Sequence, residues 1–141
     1  DDDDRRIAGH TIMTWQEVQA LHRAGMDVQS HTRTHRVLHT LPPDQIDDEL
    51  AGSRRILEQQ LDAPVDAIAY PVTSPASAQD GVIAAARRAG YRLGFSTSRG
   101  LAPRAAVTNQ FDIPRMWMDS AMTHSYVRAI LAFPGLAYRR R

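Results

Sequence analysis

His31 and His35 stand four residues apart in the run Gly25-Met26-Asp27-Val28-Gln29-Ser30-His31-Thr32-Arg33-Thr34-His35. Two imidazoles at that spacing meet across one helical turn or a tight loop, and neutral imidazole is a common ligand of zinc. A catalytic zinc takes three protein groups and keeps one position for water, so the pair calls for a third ligand, by preference a carboxylate. The competing reading is a solvated loop rich in histidine, because His39 continues the spacing and all three would line one helical face. Thr32 and Thr34 are mediocre helix formers and the segment follows a strand-like pattern, which favours ligation for His31 and His35. His39 reads as a surface residue, and His10, His22 and His124 have no partner at ligand spacing.

The elements that must position this pair follow from periodicity. Met26 and Val28 alternate with Asp27 and Gln29, which predicts a short strand whose far end delivers His31 to a loop. Before it, Thr14 and Glu17 form a capping box for a helix that places Val18, Leu21 and His22 on one side and stops at Gly25. Pro42 and Pro43 open a second helix with Ile46, Leu50, Leu57 and Leu61 at helical spacing and Asp47, Asp48 and Glu49 near its positive end. Residues 67–71, Ala-Ile-Ala-Tyr-Pro, read as a strand leaving the core. A third helix from about Gln79 turns Val82, Ala85, Ala86 and Ala89 inward and ends at Gly90, and residues 91–97 then form a strand. A long loop with Gly100 and Pro103 leads to a strand at Ile113 and a last helix near residues 123–131. This order predicts βαβ units and a mainly parallel sheet, with functional residues at the carboxyl ends of strands, where His31 and Tyr70 both fall.

Composition bounds the partners. With 141 residues and 43% hydrophobic content the chain can bury one core. All 17 basic residues are arginine, yet the net charge is only +1 and no basic stripe with aromatics appears, which argues against nucleic-acid binding. The absence of cysteine excludes disulfides and thiolate metal sites. No signal peptide and no membrane-crossing apolar run is present, and localisation stays open. The acidic opening and the arginines 139–141 read as frayed, solvated termini.

Several strings together resemble the polysaccharide deacetylase family with the NodB homology domain, a carbohydrate esterase 4-like group. They are Met13-Thr14-Trp15-Gln16-Glu17-Val18, Ala24-Gly25-Met26, Ser30-His31-Thr32-Arg33-Thr34-His35, Ala67-Ile68-Ala69-Tyr70-Pro71 and Ala89-Gly90-Tyr91-Arg92-Leu93-Gly94-Phe95-Ser96-Thr97. The resemblance runs from about Met13 to about Leu131. Its most specific element is the Ser-His-Thr-x-Thr-His run followed, after an amphipathic helix, by the Tyr-Pro strand end.

This resemblance implies an α/β fold, a distorted (β/α) barrel with mainly parallel strands, of which the chain would supply the later half or two-thirds. A charged segment over 1–12, a deacetylase-like domain over 13–132 and an Arg-rich tail over 133–141 are expected. The implied activity is metal-dependent removal of N-acetyl or O-acetyl groups from a polysaccharide or oligosaccharide. The implied cofactor is a divalent metal, zinc first, with cobalt and nickel also suited to imidazole and carboxylate ligands. His31 and His35 match the family's two histidine ligands. Tyr70, Pro71 and Val72 correspond to a motif that shapes a wall of the substrate groove, and the Val72 N–H would help hold a developing oxyanion.

Departures from the pattern set further expectations. Ala69 stands where the motif carries arginine, and Arg115, in Phe111-Asp112-Ile113-Pro114-Arg115-Met116, would supply that guanidinium, unless it is an ordinary surface arginine. The family's Thr-Phe-Asp-Asp motif has no counterpart, Asp1 to Asp4 reading as a solvated charge run, and His124 is a poor substitute for the catalytic histidine. The chain is therefore expected to be N-terminally incomplete and impaired on its own, requiring a missing segment or partner chain. The alternative is a non-catalytic remnant of the fold that binds glycans or another protein.

Overall fold

The computed structural model describes residues 6–7, 10–71, 80–99, 109–115 and 121–133. The expectations for Asp1 to Asp4, Val72, Gly100, Pro103 and the tail over 134–141 lie outside the described residues. A short antiparallel pair, β1 (Arg6–Ile7) and β2 (His10–Thr11), opens the structure where the sequence had suggested only a charged segment.

α1 (Trp15–Arg23) starts where Thr14 and Glu17 predict. Glu17 Oε2 accepts from the Thr14 N–H at 2.6 Å and Thr14 Oγ1 accepts from the Glu17 N–H at 3.3 Å, so two donors at the helix start are satisfied reciprocally. The chain leaves α1 through Gly25 at φ +91°.

The parallel sheet is built from β3 (Ala67–Ala69), β4 (Leu93–Arg99) and β5 (Ile113–Arg115), in that spatial order. The predicted strand over residues 26–29 is not one. Only Ser30 joins the sheet, as a parallel bridge to Ile68, with its N–H on the Ala67 carbonyl and its own carbonyl accepting from Ala69. The reason is visible one residue earlier. The Gln29 side chain, not the backbone, takes the Ala67 N–H at 2.8 Å, so the ladder cannot extend backwards. At the other edge, Pro114 has no N–H to give, and the β4–β5 register shifts between the Phe95 and Arg99 pairings.

α2 (Pro43–Leu61) begins with proline in its first turn, where a missing N–H costs nothing, and buries Ile46, Leu50 and Leu61 as its periodicity predicts. It ends on Asp62 in the left-handed conformation, which short polar side chains tolerate. α3 (Asp80–Arg88) buries Val82, Ile83, Ala85 and Ala86. With Val65, Ile68, Tyr70 and Tyr91 these helices share one core, to which Leu38 contributes from the 3₁₀ turn Leu38–Thr40. α4 (His124–Ala132), capped by Thr123, closes the described chain. No helix among the described residues is long and apolar enough to cross a membrane.

Gly90 ties α3 to the rest of this core. It sits at φ +89°, and a Cβ there would run into the Arg54 guanidinium. That guanidinium donates to the Val65 carbonyl at 2.9 Å and the Ala89 carbonyl at 2.8 Å and pairs with Glu58 at 3.0 Å. Gly90→Ala is expected to lower the unfolding free energy by about 2 kcal/mol, measured by urea titration, from the left-handed strain and the disturbed arginine together.

Candidate metal centre

His31 leaves the sheet immediately after Ser30, and the side chain of Ser30 is already fixed. Its hydroxyl shares a 2.8 Å hydrogen bond with the buried Ser53 hydroxyl of α2, which in turn lies 3.0 Å from the Tyr91 hydroxyl. The loop that follows doubles back tightly, with Thr32 at φ +69° and His35 at φ +59°. Such backbone is unfavourable for residues with a Cβ and persists only where neighbours hold it. Thr32 Oγ1 accepts from the His35 N–H at 3.1 Å, which closes the turn on itself.

The result is that the two imidazoles meet edge to face, ring centroids 4.9 Å apart and planes at 73°. His31 Nδ1 lies 2.6 Å from the Ala69 carbonyl at the end of β3. A carbonyl only accepts, so Nδ1 carries the proton and Nε2 keeps its lone pair. Although the side chain is largely exposed, its pKa is lowered by desolvation against the sheet end. The Ala69 bond opposes that shift, and the charges of His35 and Arg115 add to it. A ring of this kind, oriented by a backbone acceptor on one nitrogen and bare on the other, is the usual state of a histidine ligand. A cleft of about 270 Å³ adjoins His31 and Thr32, walled by Trp15, Gln29, Ile56 and Leu57.

Arg115 reaches the same sheet end from β5. Its Nε donates to the Ser96 carbonyl at 2.9 Å and an Nη to the Tyr70 carbonyl at 2.8 Å. His31 and Arg115 are therefore tied to consecutive carbonyls, those of Ala69 and Tyr70. Arg115 is half-buried, and desolvation lowers its pKa.

Tyr70 and Pro71 are placed differently from the expectation that they wall a groove. Tyr70 is 0% exposed and Pro71 is also fully buried. The tyrosine ring turns into the core beneath Gly94, where a Cβ would collide with its hydroxyl. Burial, and secondarily the Asp112 carboxylate, push the Tyr70 pKa up, so the phenol stays protonated. What this strand end offers the site is its two carbonyls.

The pattern of a sequence family over residues 6–94 matches the chain, and that family is polysaccharide deacetylase. The chain belongs to the polysaccharide deacetylase family. A relative in Bacillus subtilis (strain 168), the polysaccharide deacetylase homologue YxkH, is 28% identical over 92 residues, which cover 65% of this chain and 32% of the relative. Among solved structures, the Streptococcus pyogenes deacetylase PplD in complex with acetate superposes with a TM-score of 0.73 at 27% identity, over 86% of this chain and 51% of that one. A polysaccharide deacetylase from Bacillus cereus gives 0.71 at 23% identity, over 87% and 38%. The chain thus spans about half of the first of these structures, and less of the other two proteins. The α/β architecture with parallel strands is that of part of a NodB-type (β/α) barrel, as the sequence resemblance implied.

Within this deacetylase-family chain, the donor chemistry of His31 and His35 fits a divalent cation as two of its ligands. No group of three histidine, cysteine, aspartate or glutamate side chains suited to a metal occurs among the described residues. His39 and His124 are exposed and His22 half-buried, each in another element. One residue of the site escaped the sequence reading. Glu49 of α2, 5% exposed, accepts from the backbone N–H groups of Arg33 at 3.0 Å and Thr34 at 2.9 Å and from the Thr34 hydroxyl. Burial alone would raise its pKa, but the hydrogen bonds from Thr34 and Arg33, helped by the charge of Arg36, bring it down.

Proposed function

We propose that this chain carries the histidine half of the metal site of a hydrolase that removes acetyl groups from a polysaccharide, with His31 and His35 as ligands of a divalent cation, zinc first. The observation that carries the reading is the orientation of the pair. The Ala69 carbonyl fixes His31 through Nδ1, and the His35 ring stands 4.9 Å away. When bound, such a cation supplies Lewis acidity toward an acetyl carbonyl and toward water.

The chain's own groups have distinct parts in this reading. The Nε2 lone pair of His31 is presented without rotation of the ring, because the carbonyl bond sets both tautomer and plane. Arg115 holds a positive charge beside that ring, anchored by two carbonyls, and suits the negative charge that develops on an acyl oxygen. It is our candidate for the guanidinium that Ala69 does not provide. Tyr70 acts through its backbone. The carboxylates that would activate water are not assigned to any residue of this chain, so substantial hydrolysis is expected only with a further segment or chain.

The test is calorimetric titration of the full chain with zinc, followed by assay of acetate release from acetylated chito-oligomers. One cation per chain with little acetate released supports the reading. No saturable binding at millimolar zinc would overturn it.

A further inference from the structure

The geometry of the histidine loop raises the question of what keeps it in place before any cation arrives. Residues 31–35 contain two left-handed residues that are not glycine, so the loop does not hold its shape by local preference. Two carboxylates of α2 reach it. Asp48 pairs with Arg33 at 2.6 Å, but both side chains are about half exposed, and such surface pairs contribute little. Glu49 is different. It is buried, it is engaged by two backbone N–H groups and one hydroxyl, and all three donors belong to residues 33 and 34, between the two histidines. Hydrogen bonds to a buried carboxylate are among the stronger ones, and removing the acceptor leaves the backbone donors unpaired.

We infer that Glu49 is the positioning residue of the two-histidine site: its carboxylate clamps residues 33 and 34 from α2 and so makes the His31 and His35 rings converge in the metal-free protein. This rests on the reading of the two histidines as ligands, but it concerns a residue that touches neither the cation nor substrate. The nearest acids on the same helix supply an internal comparison, because Asp47 pairs with Arg88 on α3 and Asp48 only with the exposed Arg33 side chain.

The experiment uses the full chain and three variants. Glu49→Ala takes the acceptor away from both backbone N–H groups and from the Thr34 hydroxyl, Thr34→Val removes one of the three donors, and Asp48→Asn is the control. Two readouts are taken: cobalt(II) affinity from its visible absorption, and the ring-to-ring nuclear Overhauser effect between His31 and His35 without metal. Folding is followed by circular dichroism. Glu49→Ala is expected to weaken cobalt binding roughly 10- to 100-fold, as loss of supporting groups around a metal typically does, and to lose the ring contact. Thr34→Val should weaken binding about fivefold, the worth of one ordinary hydrogen bond. Asp48→Asn should leave both readouts unchanged.

If Glu49→Ala does not fold, Thr34→Val carries the decision. A folded variant with the ring contact and cobalt affinity of the wild type overturns the inference. Failure of the wild type to bind cobalt strikes the metal reading instead. The ring contact alone then judges Glu49, its loss in the variant supporting the clamp and its persistence refuting it.

Discussion

His31→Ala is expected to reduce zinc affinity by more than roughly 100-fold while leaving the fold standing. Loss of groups that only support a ligand costs about 10- to 100-fold, and deletion of one of two protein ligands must exceed that. The stability cost is small, because the ring is largely exposed and its one hydrogen bond, to the Ala69 carbonyl, contributes about 1 kcal/mol. His35→Ala should match it in affinity. The double variant should add little, since a cation that has lost one of two anchors has almost none left to lose. His39→Ala, by contrast, should bind as the wild type does, because His39 lies on the 3₁₀ turn beyond the loop. Calorimetry alongside thermal melts separates these cases. Wild-type affinity in His31→Ala would place the cation elsewhere and remove the pair from the site.

The spacing of the histidines, the capping box of α1 and the apolar stripe of α2 were legible because each is local: the residues that interact are within a turn or two of one another. The strand predicted over 26–29 was lost to a single side chain. Gln29 offers an amide oxygen where a ladder carbonyl belongs, and alternation of apolar residues carries no sign of that substitution. The burial of Tyr70 was not legible for a related reason. The sequence leaves two readings for it, a groove wall by family resemblance and a strand leaving the core, and the buried position of its ring depends on Gly94, 24 positions later, which leaves the space into which the ring folds. Glu49 was read only as one of three acids near the start of a helix. Its neighbours Asp47 and Asp48 are such surface acids, and what separates Glu49 from them is the return of residues 33 and 34 onto that helical face, a tertiary fact. Arg115 lies between these cases. Its strand could be matched to a motif, but its anchoring by two carbonyls depends on the order of β3, β4 and β5.

Gly94→Ala is expected to destabilise the chain by about 3 kcal/mol, at the upper end of what overpacking costs, because the atoms in the way cannot move cheaply. An added Cβ would lie 2.9 Å from both Cα and O of Phe111, which are backbone, and would strike the Tyr70 hydroxyl. The Gly94 N–H also donates to the Gln110 carbonyl at 2.8 Å, so β4 cannot back away without breaking that bond. Relief must come from the segment entering β5 or from the Tyr70 ring. The first displaces Arg115 from the carbonyls of Ser96 and Tyr70, while the second forces a phenol without a hydrogen-bond partner among the described residues to repack inside the core. Tyr70→Phe in the Gly94→Ala background discriminates between them. If the hydroxyl is the main obstacle, the double variant recovers most of the lost stability in urea unfolding. If the Phe111 backbone dominates, it recovers little, and the damage lies on the Arg115 side of the site. In either case the histidine loop, held from α2 rather than from β4, should keep its cation affinity as long as the chain is folded. Loss of cobalt binding in folded Gly94→Ala protein would mean that the loop leans on β4 after all.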